Sequence, residues 1–187
     1  MNINDPPVLS DIPAISFPED FTYTLSLNDH VTDVDDDTSA LVWTIYSLAP
    51  ELTIDHIVVE QMVTLIPDTN FFGDSSTVFI HVEDTSGAAD SVTISVVVTP
   101  INDPPQFIGE LPQVVFPEDS GAILGTDTWT DLIMDVDDSL ASLTWQFLEG
   151  YYVSVEQSND TLFFTSETDW YGSEDALAVI SDGELTD

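Results

Sequence analysis

The sequence contains neither lysine nor arginine, although it has 36 aspartates and glutamates and a formal net charge of −36. No salt bridge between a carboxylate and a lysine or arginine can form anywhere in this protein. Carboxylates about 4 Å apart repel by about 1 kcal/mol in water and several-fold more near a protein surface. Positive charge must therefore come from outside the polypeptide. Nucleic acids and anionic membrane surfaces are excluded as partners, because both are bound through lysine and arginine.

Cysteine is also absent, and histidine is scarce. No disulfide can form, so metal is the remaining source of extra stabilisation in an extracellular setting. Zinc and copper usually recruit cysteine or histidine. The three histidines, His30, His56 and His81, are not spaced as a pair, and we expect them at solvated loop or strand positions. If a metal binds, its ligands should be oxygen atoms.

Long hydrophobic runs are missing too. No segment is long enough to span a bilayer, and Met1 is followed by a polar stretch rather than by the apolar core of a signal peptide. We therefore expect no direct membrane insertion and a fragment of a longer chain, whose export signal lies elsewhere.

Two features show how the chain is organised. Hydrophobic residues make up 43% of the sequence, so it can build a core despite its charge. The pentapeptide INDPP occurs at 3–7 and again at 101–105, and its prolines make each copy a stiff connector. We predict a linker at 1–7, a first repeat at 8–100, a linker at 101–105 and a second repeat at 106–187.

Other landmarks recur in the same order, which a chance match between linkers would not produce. They include a short acidic turn, an acidic tetrapeptide, a tryptophan, a polar turn and a late aspartate. The pairs are FPED at 17–20 and 116–119, DVDD at 33–36 and 135–138, Trp43 and Trp145, the turns at 68–73 and 167–172, and Asp84 and Asp182.

Between the landmarks, hydrophobic residues alternate with polar ones and β-branched residues are frequent, which is typical of short strands. We predict an all-β protein of two tandem immunoglobulin-like antiparallel sandwiches, with Trp43 and Trp145 in the cores and the last strand of the second sandwich missing. The strands are expected near 14–17, 21–27, 41–46, 52–59, 61–66, 76–83 and 90–99 in the first repeat, and near 113–116, 121–126, 143–148, 152–156, 161–165 and 175–181 in the second.

The motifs resemble those of the calcium-binding cadherin repeats and their bacterial cadherin-like relatives. Pro18-Glu19 is similar to the Pro-Glu near the first cadherin strand, and Asn102-Asp103 to the core of the cadherin linker. Asp33-Val34-Asp35 and Asp135-Val136-Asp137 resemble the family's Asp-x-Asp, and Asp84 and Asp182 its late aspartate. The chain departs from the pattern at Pro100 and Pro104 and has no Asp-Arg-Glu, for which Asp68 and Glu167 are the nearest substitutes.

Calcium also follows from the chemistry of the residues. It binds six to eight hard oxygen atoms in flexible geometry, and an Asp-x-Asp loop, a linker asparagine and a proline carbonyl supply such atoms. Acidic loops are often no more than a solvated surface, but here the same set recurs in order. We predict one site from Asn4, Asp33, Asp35 and Asp84, a second from Asn102, Asp135, Asp137 and Asp182, and one further ion at most at the central joint from Glu19, Asp68 and Asp103.

The favoured function is a non-enzymatic extracellular or cell-surface module, stiffened by linker calcium, that acts in adhesion or as a spacer. Its expected partners are calcium ions, neighbouring repeats of the parent chain and another surface protein or a polysaccharide. A rival hypothesis is a carbohydrate-binding accessory module, whose candidate residues are Tyr151, Tyr152, Trp170 and Tyr171. Catalysis is not expected, because no nucleophile stands beside a base and no cationic stabiliser exists.

Overall fold

A computed structural model describes residues 3–148 and 150–187, without the side chain of Asp74. The chain divides into two compact units, Met1–Ile101 and Asn102–Asp187. Two residues of the linker predicted at 1–7, Met1 and Asn2, lie outside the described residues, as does Glu149 of the repeat predicted at 106–187.

The first unit consists of strands joined by turns and two short 3-10 helices. Its strands keep close to the predicted positions, because the alternation of buried and exposed side chains is strong there. They are β1 (Val8–Leu9), β2 (Ile15–Pro18), β3 (Tyr23–Ser26), β4 (Val31–Thr32), β5 (Val42–Ser47), β6 (Leu52–Ile57), β7 (Met62–Pro67), β8 (Gly73–Glu83) and β9 (Ala89–Thr99).

Two sheets form the sandwich of the first unit. One has the strand order β2-β9-β8-β5 and the other β3-β7-β6, while β1 and β4 form a separate pair. All pairs are antiparallel except β2 and β9, which run parallel with Ile15 opposite Val96. The all-β sandwich is thus confirmed, and this edge pair is the exception to its antiparallel pairing.

The core of the first unit lies between these two sheets. Buried residues come from both sheets, and every second residue of β8 from Val78 to Val82 is nearly inaccessible. Trp43 on β5 belongs to this core, as predicted. At about 25 cal/mol per Å² of buried apolar area, such a core is the main source of stability.

The second unit repeats this plan with fewer strands. β11 (Gly121–Gly125), β15 (Thr161–Ser166) and β14 (Val153–Ser158) form one sheet, and β13 (Thr144–Leu148) and β16 (Leu177–Ser181) form the other. A further short pair consists of β10 (Gln106–Phe107) and β12 (Ile133–Met134).

The strand predicted near 113–116 is wrong, since these residues form no strand. The corresponding β2 of the first unit is paired with β9. Among the described residues of the second unit, no strand corresponds to β9, as the sequence predicted. Without that partner, the segment at 113–116 has no ladder to join.

The core of the second unit is smaller and is divided into two clusters. Trp129, Val155, Leu162 and Phe164 are buried in one, and Ile133, Leu143 and Ile180 in the other. Trp145 is half-buried and packs against both. Trp129 lies 5.6 Å from Trp145 and 6.3 Å from Phe147 between ring centroids, so aromatic contacts replace part of the missing aliphatic core.

Helical segments are few and short. The described residues contain 3-10 helices at Leu27–His30, Thr38–Ala40 and Thr126–Leu132. Leu27 and Trp129 are the buried side chains of the first and third. No helix in the described ranges is both long enough and apolar enough to cross a membrane.

Within residues 3–148 and 150–187, six non-glycine residues have a left-handed backbone with φ between 52° and 61°. They occupy equivalent positions in the two repeats and are mostly asparagine or aspartate, whose short polar side chains tolerate this conformation best. We refer to them as the left-handed turns. The pairs are Asp20 and Asp119, Gln61 and Asn159, and Asn70 and Asp169.

Candidate metal sites

The first cluster of carboxylates, site I, contains Asp33, Asp36 and Asp84. One oxygen atom from each lies within 4.8 Å of the others. Asp33 and Asp36 follow the short strand β4, and Asp84 follows β8. The turn after β4 and the end of a core strand therefore bring three negative charges together.

Asp33 shapes the turn in which it lies. Its Oδ1 accepts hydrogen bonds from the backbone N–H groups of Asp35 at 2.8 Å and Asp36 at 2.9 Å. This contact curls the chain, so that the side chain of Asp36 faces site I. The other oxygen, Asp33 Oδ2, is buried and has no hydrogen-bond partner among the described residues. A buried carboxylate oxygen without a partner is costly unless a cation contacts it.

Asp84 is held in one orientation by the backbone and by the linker. Its Oδ1 accepts from the N–H groups of Ser86 at 2.8 Å and Ala88 at 2.9 Å, and its Oδ2 accepts from Asn4 Nδ2 at 2.7 Å. The Asn4 hydrogen bond, aided by the backbone donors, holds the pKa of Asp84 below its ordinary value against the opposing effect of burial. Asp84 is thus kept ionised, as a metal ligand needs to be.

Site II is the equivalent cluster of the second unit and contains Asp135, Asp138 and Asp182. Asp135 Oδ1 accepts from the N–H groups of Asp137 at 3.0 Å and Asp138 at 2.8 Å. Asp135 Oδ2 is buried and, like Asp33 Oδ2, has no hydrogen-bond partner among the described residues. The same turn, with the same unsatisfied oxygen, is therefore built twice.

Asp182 corresponds to Asp84. Its Oδ1 accepts from the N–H groups of Glu184 and Leu185, both at 2.6 Å, and its Oδ2 accepts from Asn102 Nδ2 at 2.8 Å. The Leu185 and Asn102 hydrogen bonds lower the pKa of Asp182 below its ordinary value. Each linker asparagine therefore contacts the late aspartate of its own unit.

Asp35 and Asp137, which the sequence singled out, do not belong to the two clusters. Asp35 Oδ2 accepts from the backbone N–H of Asp5, and Asp137 Oδ2 from that of Asp103, each at 2.8 Å. Their carboxylates fasten the linker to the turn. Asp36 and Asp138 were not among the ligands predicted from the sequence, although both end the repeated DVDD motif.

The residues assigned to the central joint have different surroundings. Glu19 is fully buried in the first unit, where its Oε1 accepts from the N–H of Ile101 at 2.9 Å and its Oε2 has no partner among the described residues. Asp68 is exposed in a turn after β7 and lies outside both clusters. The backbone N–H of Asp103 is the group that reaches Asp137.

The donor chemistry of both clusters suits a hard cation. Every clustered side chain is a carboxylate, and carboxylate and amide oxygens are the ligands that calcium prefers. The three histidines lie outside both clusters, at the end of a 3-10 helix and on β6 and β8. Such sites are unsuited to zinc or copper.

The aromatic residues of the carbohydrate hypothesis form a separate group. Tyr152 stacks on Trp170 with ring centroids 5.3 Å apart, and Tyr151 contacts Tyr152 edge to face at 5.1 Å. Tyr151 and Tyr171 are more than four-fifths exposed. The Glu174 carboxylate accepts from the backbone N–H groups at Tyr151, Tyr152 and Val153, which fixes the turn.

Comparison with known proteins supports the sandwich fold. The sequence profile of the bacterial Ig domain family matches residues 4–97, half of the chain. The structure resembles protocadherin gamma B2 extracellular cadherin domains 1–5 at 18% identity and a TM-score of 0.53, covering 100% of this chain and 38% of that one. Domains 3–6 of the same protein match at 13% identity and a TM-score of 0.53, covering 97% and 45%. These likenesses show the fold alone. No curated protein matches the sequence.

Proposed function

Since the chain belongs to the bacterial Ig domain family, we propose that it is a calcium-binding repeat module of an extracellular or cell-surface protein, acting as a spacer or in adhesion. The observation that carries this proposal is the recurrence of one arrangement. In each unit three carboxylates converge, and the first of them has a buried oxygen without a hydrogen-bond partner among the described residues, Asp33 Oδ2 in one and Asp135 Oδ2 in the other.

The charge of the chain explains why a cation is needed. Three carboxylates within 4.8 Å repel one another, and the sequence has no lysine or arginine to compensate. Protonation could relieve the repulsion, but the hydrogen bonds to Asp84 and Asp182 favour their ionised forms. A divalent cation from solution removes the repulsion and satisfies the buried oxygen.

The linker asparagines fit this function. Asn4 and Asn102 donate to the late aspartates through Nδ2. A half-turn of each amide group would bring Oδ1 to the same place, and an amide oxygen is a neutral calcium ligand. Each asparagine can therefore serve as a hydrogen-bond donor without the ion and as a ligand with it.

The clusters predict a calcium stoichiometry that titration can measure. Isothermal titration of the whole chain should give at least two calcium equivalents. Asp36→Asn should weaken the equivalent at site I by 10-fold or more, and Asp138→Asn the one at site II, because each removes a clustered carboxylate.

Asp29→Asn and Asp131→Asn are the matched controls. Both residues are exposed, lie in equivalent 3-10 helices and stand outside the clusters. Each control removes the same charge and should leave both equivalents intact. A titration of the unmodified chain that stays flat at millimolar calcium would rule out the proposal.

The stiffening of the joint at 101–105 by calcium, with Glu19, Asp68 and Asp103 as additional ligands, stays a prediction from the sequence. Its physical reason is that carboxylates on both sides of a short proline-rich connector repel until an ion binds them. Because this protein has no lysine or arginine, it has to bind any adhesion partner without a cationic side chain of either kind.

A second candidate function is polysaccharide binding at the aromatic group. The exposure of Tyr151 beside the stacked Tyr152 and Trp170 favours it, because aromatic faces stack on sugar rings. If this function is correct, the chain should be retarded in gels that contain a neutral polysaccharide, and Tyr151→Ala should abolish the retardation. Tyr46→Ala is the matched control, since Tyr46 is an exposed tyrosine of the other unit. Equal mobility with and without polysaccharides would exclude this candidate.

A further inference from the structure

An open groove of about 600 Å³ runs along the second unit. Its lining includes the segment from Leu111 to Glu118, which contains the predicted strand that is not formed, and Ala178 on β16. Polar and apolar groups both line it, and Phe147 and Phe164 are among the apolar side chains. We call this the strand groove.

The first unit shows what lies at the equivalent place. There β9 runs between β2 and β8 and is paired with both. Its alternate residues Ile94, Val96 and Val98 are no more than 4% exposed and belong to the core. In the second unit, β16 is the equivalent of β8, and it is paired with β13 alone among the described strands.

The first residue of such a strand is already in place. Asp187 exchanges backbone hydrogen bonds with Ile180 at 2.9 and 3.1 Å, and the equivalent Asp90 lies opposite Val82. Asp187 Oδ2 accepts from the N–H of Phe107 at 2.8 Å, just as Asp90 Oδ2 accepts from the N–H of Leu9 at 2.9 Å. The direction and register of a next strand on β16 are therefore fixed by Asp187.

We propose that the strand groove binds one extended segment with the chemistry of Ser91–Thr99, which enters beside Asp187. That segment reads SVTISVVVT, is uncharged, and is apolar at alternate positions. An uncharged segment suits the groove, because Glu118, Glu174 and Asp175 line it and would repel acidic residues. The bound strand pairs through its backbone with β16 and places every second side chain against apolar lining residues such as Phe147 and Phe164.

Binding should also order the segment at 114–117. Val114 and Phe116 are equivalent to Ile15 and Phe17 of the first unit. They are half-buried, whereas Ile15 and Phe17 are buried. Val115 between them is 78% exposed. With the segment in place, residues 114–117 gain the parallel partner that β2 has in β9, and the two apolar side chains turn into the core. This inference does not depend on calcium binding.

The first test places the segment in cis. The whole chain is extended after Asp187 with the sequence of Ser91–Thr99, and amide hydrogen exchange is measured against the unextended chain. We expect exchange at 177–181 and at 114–116 to slow about 100-fold, because open backbone amides become paired. The control extension carries serine in place of the residues copied from Ile94, Val96 and Val98. It should leave exchange unchanged.

A second experiment leaves the chain unextended, so that it remains decisive if an extension perturbs folding. A free peptide with the sequence of Ser91–Thr99 is added to the unextended chain, and to its Phe116→Asp variant, whose groove wall carries a charge. Protection of 177–181 in the first mixture and its loss in the second would support the proposal. Unchanged exchange with both the extension and the peptide would overturn it. Protection that appears only with dimer formation in light scattering would assign the groove to a second copy of the chain and would overturn it as well.

Discussion

We expect millimolar calcium to raise the unfolding temperature of each unit by roughly 10–20 °C. A ligand that binds only the folded state at a hundredfold excess over its Kd adds about 2.7 kcal/mol per site. For a domain of this size, each kcal/mol shifts the unfolding temperature by about 4–8 °C. Sites I and II lie in different units, so both calorimetric transitions should move.

The calcium effect has to be distinguished from the general screening of 36 negative charges. Sodium chloride at matched ionic strength is the control, because screening depends on ionic strength and not on the identity of the cation. A chelator should reverse the calcium shift. In Asp36→Asn, only the transition of the first unit should lose the shift. Equal stabilisation by both salts would mean that the clusters hold no specific ion.

The second large effect concerns the divided core of the second unit. Leu162 on β15 is fully buried, and Leu162→Ala should destabilise that unit by about 2–5 kcal/mol through lost burial and the cavity left behind. Small domains are stable by only about 5–15 kcal/mol. We expect the transition of the second unit to fall sharply or to disappear, with exposure of Trp129 visible as a red shift of its fluorescence.

Leu148→Ala is the matched control for this change. Leu148 lies in the same unit and is half exposed, so its truncation should cost less than about 0.5 kcal/mol. The transition of the first unit should stay in place in both variants. Loss of both transitions in Leu162→Ala would show that the units do not unfold independently.

Most strands could be predicted because their signal is local. The alternation in segments such as SVTISVVVT specifies one buried and one exposed face without knowledge of any partner. The two-residue strands β1, β4, β10 and β12 were missed, since two residues carry no period. The strand expected at 113–116 was wrong for the opposite reason, because its local pattern is good but the strand it needs for pairing is absent from the described residues.

The candidate sites show a similar division. Asp33 and Asp84 were predicted from the sequence to belong to one site, and both lie in site I of the structure. It could not distinguish Asp35 from Asp36, because an alternating Asp-x-Asp suggests two side chains on one side. The hydrogen bonds that Asp33 accepts curl the chain instead, so that Asp36 joins the cluster and Asp35 faces the linker. The repeated DVDD motif contained the signal, since its last residue recurs as faithfully as its first.

The left-handed turns are a feature that the two repeats share although their core side chains differ. Leu27 in one repeat corresponds to Trp129 in the other, so a core position has changed greatly in volume. The backbone handedness at Asp20, Gln61 and Asn70 has nevertheless been kept in the second copy. Substitution by a β-branched residue is strained at such positions whatever space surrounds it. In evolutionary terms, the path of the main chain at these bends is common to both repeats, and the side chains there differ only among aspartate, asparagine and glutamine.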